Sequence, residues 1–450
     1  MAGSDAILWP DASGTWNVQA VASAAAFAGN LRTVFAALPA GGGKVIILPS
    51  TFTSNGNANC YEWDGTACAL TKQNVEIEAF GVRVRFANTT DATGIDFNRP
   101  NCGIRGLTCI EDTSGAPANR RQLSFRQVSA VRCDDGYVDR CRYLYTTTAA
   151  YTNGGNAFVG VDGHEAADMC RGFRMSNCTA LIGTGASTVG SQVNQWYSGG
   201  IYPTHASMLI ASHVQGLKFH DNNLLYGTNT LLANNYFGAF GIFEECPYSQ
   251  YSNNTSRGAN LQGISTGGSL FIVRKFGPSG WNAGGAGGFE GHHDTWSGNR
   301  FEDNDVVDCL RIENAHYGTY MGNMFGRGQA TGAQLNFVDG TTYSVSAGGD
   351  GISILGNDFH NNDLGYSINV DRVKGVNIGS NNWELIQDEL VHPSQALLRV
   401  GSDCRQLRFR GDQQSISWGG LKAKPRLLWD IAAEAYHTDS ANPSNDAVRY

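Results

Sequence analysis

The chain has 450 residues, 57 of them glycine, with 41% hydrophobic, 10% aromatic and only 16% charged residues. Ordinary soluble domains carry about 7% glycine and about 25% charged residues, so a coiled coil or helical bundle is excluded, as are disorder and a collagen-like period of three. The 32 Lys and Arg against 40 Asp and Glu leave a net charge of −8; with no basic block, tight sequence-independent nucleic-acid binding is set aside.

The opening, Met1 to Pro10, lacks the basic and apolar regions of a secretory signal, and no later stretch is long and apolar enough to span a bilayer. Residues 1–24, with Trp9 and Trp16, read as a short arm that could attach to a particle. Phe27, Leu31, Val34, Phe35 and Leu38 share one helical face, which predicts a helix over 25–38. Gly41, Gly42 and Gly43 end it, and Lys44 to Leu48 reads as a buried strand. An amphipathic helix in that place would cap the open end of a solenoid.

Eleven cysteines follow, an odd number, with no zinc-ligand spacing. Cys102, Cys133 and Cys170 recur at about one repeat each, as do Cys109, Cys141 and Cys178. These six are expected as two columns of buried thiols. Cys60, Cys68, Cys246, Cys309 and Cys404 lie outside the columns and are expected to be the cross-linkers.

Internal similarity organises the remainder. Gly298-Asn299-Arg300-Phe301, Gly322-Asn323-Met324-Phe325, Gly356-Asn357-Asp358-Phe359 and Ser380-Asn381-Asn382-Trp383 share one core. Three residues before each asparagine stands Trp296, Tyr320, Ile354 or Ile378. A second strand recurs as Leu310 and Ile312, then Ile368 and Val370. The phrase extends back to Asn254, Asn222 and Cys178 and forward to Phe409. Unequal steps with an unchanged core confine insertions to loops. This predicts an all-β, right-handed, single-stranded parallel β-helix over 25–415, followed by an extension over 416–450. Phe301, Phe325, Phe359 and Trp383 should stack inside it, with asparagine supplying the left-handed turns and amide ladders.

The run from Asn30 to Phe52, with its helix, Gly-Gly-Gly, strand and Pro49-Ser-Thr-Phe52 turn, closely resembles the opening of pectin-lyase-like β-helix proteins, phage tailspikes especially. With the repeats, the resemblance spans roughly residues 25–415. It implies a homotrimer and contact with, or cleavage of, polysaccharide. The polygalacturonase pattern is incomplete: Asp134-Asp135 and Gly163-His164-Glu165 are present without an Asn-Thr-Asp, and Arg311-Ile-Glu313 stands where Arg-x-Lys is needed.

Glycoside hydrolysis needs two carboxylates about 5–9.5 Å apart. The candidate catalytic residues are Glu244 and Glu245, after an aromatic run, and Glu290 and Asp294, after a glycine-rich loop; such excursions from a rigid scaffold are where sites concentrate. The His292-His293 pair has no third ligand at useful spacing, so neither metal nor cofactor is implied. Trp196, Tyr197, Tyr202 and Trp281 are candidate sugar-binding aromatics, Trp196 to Tyr202 equally suited to subunit contact. These features predict a tailspike-like virion β-helix protein, a spike, collar or decoration component. Its expected partners are its own copies, other virion proteins and host surface polysaccharide, and it is released by lysis rather than secretion. The alternative is an active depolymerase of capsule or O-antigen, a glycosidase or a lyase.

Overall fold

In the computed structural model the described residues are 5–86, 93–111, 121–128, 131–145, 157–163, 169–182, 195–197, 200–202, 207–226, 240–258, 269–274, 293–313, 317–326, 328–338, 351–360, 366–371, 373, 375–385, 398–400, 408–410, 417–418 and 429–431. The chain divides into two compact units, one of residues 1–197 with 201–238 and the other of 198–200 with 239–450. Each is built from the same coil: a first-sheet strand, a tight turn, a second-sheet strand, a connection, a third-sheet strand, and a corner into the next coil.

The first unit opens with the hairpin Ala6–Pro10 and Trp16–Ala20, whose first strand pairs antiparallel with Gly43–Ile47. Helix Phe27–Ala37 buries Phe27, Ala28, Leu31, Val34 and Phe35, as its spacing predicts. From Gly43–Ile47 onward the first sheet is parallel, running through Val75–Glu78, Gly103–Arg105, Tyr137–Asp139 and Arg174–Ser176 to Lys218–His220. Alternation does the sorting. Val75 and Ile77 are buried while Glu76 and Glu78 are half-buried, the period-two pattern of a strand with one face on a core.

In the second unit the first sheet runs from Gln250–Ser252 through Thr295–Ser297, Thr319–Met321, Ser353–Leu355 and Asn377–Gly379 to Arg408–Arg410. Its inward row is Tyr251, Trp296, Tyr320, Ile354 and Ile378, all buried. Phe301, Phe325, Phe359 and Trp383 occupy one register position of the second sheet, as expected. The first three rings are buried, with centroids 5.4 and 4.9 Å apart.

Between these sheets, Asn254, Asn299, Asn323, Asn357 and Asn381 form a continuous buried ladder. Each backbone N–H and each side-chain Nδ2 donates to Oδ1 of the next asparagine at 2.8–3.1 Å. The left-handed residue of this turn is not the asparagine, as the sequence suggested, but the one before it: Asn253, Gly298, Gly322, Gly356 or Ser380. That position takes the positive φ, which frees the asparagine to point inward and bond along the axis.

The cysteine columns are corrected in part. Cys133 stacks on Cys170, and Cys141 on Cys178, but Cys102 lies in the register of Gly136 and Cys109 in that of Tyr143. The connections in these coils differ in length, so equal sequence spacing did not keep equal position. All six are buried. Cys60, Cys68, Cys246 and Cys309 are buried too, which overturns their assignment as cross-linkers to other chains. Cys404 lies outside the described residues.

Candidate functional site: a corner of the second unit

Among the described residues, the corners from the third sheet to the first share a left-handed residue at one register position, joined in two corners by a second, His213 and Glu245. In the first unit the residues at that position are Asn74, Asn101, Asp135, Gly172 and Gly216, the small or short polar residues for which this conformation costs least. In the second unit three successive coils place Tyr248, His293 and Tyr317 there instead, at φ 59°, 41° and 50°, before Gly351 and Gly375 resume the rule. The three rings stack, Tyr248 on His293 at 5.5 Å and His293 on Tyr317 at 5.2 Å, within 18° of parallel. Beyond them, a Cβ on Gly351 would lie 2.5 Å from the Tyr317 ring, so that glycine makes room for it.

The stack does not explain itself by stability. Left-handed backbone costs a residue with a Cβ about 1–2 kcal/mol, hence roughly 3–6 kcal/mol for three. Two aromatic contacts return about 0.5–1.5 kcal/mol each. Nor does burial close the gap, since Tyr248 and Tyr317 are 46% and 45% exposed and His293 is exposed. Backbone strain of this kind concentrates at functional positions.

The same three coils bring charge to the adjoining end of the third sheet. Glu244, Arg274 and Glu313 occupy one register position, four residues before Tyr248 in the first case and before Tyr317 in the third. Two strand spacings place the backbones of Glu244 and Glu313 about 9.6 Å apart. Both are buried. Glu313 accepts a hydrogen bond from Arg311 Nε at 2.9 Å, and Arg311 Nη1 reaches Asp308 Oδ2 at 3.5 Å.

Asp308 is fully buried at a break in register, where Gly332 is the extra residue of Gly328–Val338 opposite Asn304–Glu313. A Cβ on Gly332 would lie 2.3 Å from Asp308 Oδ1. That oxygen accepts from Ala333 N–H at 2.9 Å and Asn336 Nδ2 at 2.8 Å. Asn369 Nδ2 in turn donates to Asn336 Oδ1 at 2.7 Å. Burial pushes the Asp308 carboxyl up from its ordinary range, against the opposing pull of Arg311 and these donors. For Arg311, burial opposes the charge, but Glu313 and Asp308 prevail and hold the guanidinium above its ordinary value. Chemically the cluster offers a carboxyl of raised proton affinity, a cation and a further carboxylate on one strand.

Of the residues singled out from sequence, Glu244 and Glu245 lie on this corner, Glu245 buried and left-handed at φ 49°. Asp294 follows His293 in the same turn; it is buried, and its Oδ1 accepts the Ser249 N–H at 3.1 Å, linking two coils. Trp196, Tyr197 and Tyr202 fall on two short strands, Gln195–Tyr197 and Gly200–Tyr202, away from these elements in the sequence. Glu290 and Trp281 lie outside the described residues. Sequence reasoning missed Asp308, Glu313, Tyr248 and Tyr317. One signal was available: Arg311 and Asn369 stand at the same offset from Asn299 and Asn357, so their strands had to align.

The architecture is a parallel β-helix built on three long parallel sheets. No family model and no curated protein sequence matches the chain. Among solved structures it is similar to a PL6 alginate lyase in complex with a trisaccharide, at 11% identity and a TM-score of 0.42, over 90% of this chain and 85% of that one. It is similar to an endo-xylogalacturonan hydrolase from Aspergillus tubingensis at 11% identity and 0.38, over 93% and 94%. Bacteriophage CBA120 tailspike protein 3 aligns at 12% and 0.36, over 85% of this chain and 48% of that one. These are likenesses of fold, at identities that assign no activity.

Proposed function

We propose that this is a tailspike-like virion protein that binds host surface polysaccharide at the corner formed by Tyr248, His293 and Tyr317 with the charged row of Glu244, Arg274 and Glu313. The observation that carries the reading is the exposed aromatic stack held in strained backbone beside buried carboxylates. Aromatic edges and hydroxyls pack against sugar C–H faces and hydroxyls, and a solenoid repeats such contacts at the spacing of its coils. In this reading the chain works as a trimer, and light scattering should find a species of three times 48.3 kDa. Its hairpin Ala6–Pro10 and Trp16–Ala20, with Trp16 and Val18 exposed, contacts the particle.

Replacing both Tyr248 and Tyr317 by alanine is expected to weaken polysaccharide binding at least about tenfold, the loss of roughly 1.4 kcal/mol, while the left-handed backbone cost stays, since alanine keeps the Cβ. Unaltered affinity for host capsule or O-antigen would contradict the reading.

A second reading, depolymerase activity, is favoured by Glu244 and Glu313, carboxylates two strand spacings apart, with the fully buried Asp308 holding Arg311 against Glu313 as a positioning residue. It predicts oligosaccharide release that stops in both Asp308→Asn and Glu313→Gln. Polysaccharide bound but intact after prolonged incubation leaves the binding role alone.

A further inference from the structure

Outside this corner, one pair of nucleophilic side chains stands apart. Cys133 Sγ and Cys170 Sγ lie 2.7 Å apart in neighbouring coils, both fully buried. The separation is well inside the contact distance of unbonded sulfurs and approaches the disulfide length of about 2.05 Å. Neighbouring backbone bonds hold the register: Arg171 N–H donates to Asp134 Oδ1 at 3.0 Å, and Asp135 N–H to the Arg171 carbonyl at 2.7 Å. The spacing of adjacent strands, about 4.8 Å, falls within the Cα separations of about 4.4–6.8 Å that disulfides span. The other stacked pair, Cys141 and Cys178, is also in thiol contact, but each thiol has a backbone acceptor as well. Cys141 and Cys178 direct their thiols at backbone carbonyls, of Asp139 at 3.4 Å and Ser176 at 3.2 Å respectively.

We propose that Cys133 and Cys170 are an oxidation site, joined as an intrachain disulfide when the protein meets a peroxide outside the reducing cell. The Cys133 thiol donates to Cys170 and holds the Cys170 thiol below its ordinary value, so Cys170 is the attacking thiolate. Its sulfur attacks one peroxide oxygen, the O–O bond breaks, and a sulfenic acid forms with release of water. Cys133 sulfur then displaces hydroxide from that sulfenic acid, and its proton leaves with it as a second water. Two thiols are oxidised by two electrons, and one peroxide is reduced to two waters. The product staples two successive coils of the first unit, a chain separation of 37 residues.

The test uses the full-length protein, purified under reductant, desalted, exposed to hydrogen peroxide, then alkylated in denaturant. The expected result is a fall of two from the eleven alkylated cysteines, loss of the mass of two hydrogens, and a crosslinked peptide pair containing Cys133 and Cys170. In Cys133→Ser the same treatment should form no disulfide. Eleven alkylated cysteines after peroxide, a gain of oxygen mass in place of a crosslink, or a bridge mapped to Cys141 and Cys178 would each overturn the proposal.

Discussion

Asn323→Ala is expected to lower the unfolding free energy by about 2–6 kcal/mol, because four buried hydrogen bonds are lost and two of the groups left behind, at about 1–3 kcal/mol each, lose their side-chain partner. Asn323 Oδ1 accepts from the N–H and the Nδ2 of Asn299, at 3.1 and 2.8 Å. Its own Nδ2 donates to the Trp296 carbonyl and to Asn357 Oδ1, each at 3.0 Å. Alanine takes the acceptor from the Asn299 N–H and the side-chain donor from the Trp296 carbonyl, while Asn299 Nδ2 keeps the Tyr251 carbonyl and Asn357 Oδ1 keeps the backbone N–H of residue 323. The neighbouring Asp358, exposed on the second sheet, supplies the comparison: Asp358→Ala should change stability by under about 0.5 kcal/mol. Urea denaturation of the two variants checks both values, and equal midpoints would contradict the ladder's role.

Asp308 should make stability depend on pH in the direction opposite to most carboxylates. Its native pKa is raised, so the folded protein binds the proton more tightly than the unfolded chain does. The resulting stabilisation is fully present below the ordinary carboxyl pKa and is lost as pH rises through the native value. Asp308→Asn keeps an acceptor for Ala333 and Asn336 and cannot ionise. The variant should therefore gain on the wild type as pH rises from about 4 to 8, and the difference should level off above the native pKa. Urea titrations across that range decide it. A difference that shrinks with rising pH would show that Arg311 holds Asp308 charged.

Much of the fold was legible because a solenoid repeats its instructions. The offsets of Trp296, Tyr320, Ile354 and Ile378 from their asparagines set the first-sheet register, and Phe301, Phe325 and Phe359 set the second. The helix spacing at Phe27 to Leu38 fixed the cap. The site was far less legible. Glu244 was visible as an acid after an aromatic run, but Glu313 is brought to the same position only by pairing through Arg274. The extra residue at Gly332 shifts Asn336 by one place relative to Arg311, which hides their alignment from a count of offsets. Tyr248, His293 and Tyr317 share no motif. What unites them is positive φ at one corner, a property of backbone geometry. The same limit misplaced Cys102 and Cys109, whose sequence spacing matched a coil while their registers did not.

The most direct measurement is a crystal structure of the protein with an oligosaccharide from a host surface polysaccharide that it binds. The account predicts sugar rings along the exposed edges of Tyr248, His293 and Tyr317, with hydroxyls directed toward Glu244 and Glu313. Sugar bound on another face, with this corner bare, would contradict it.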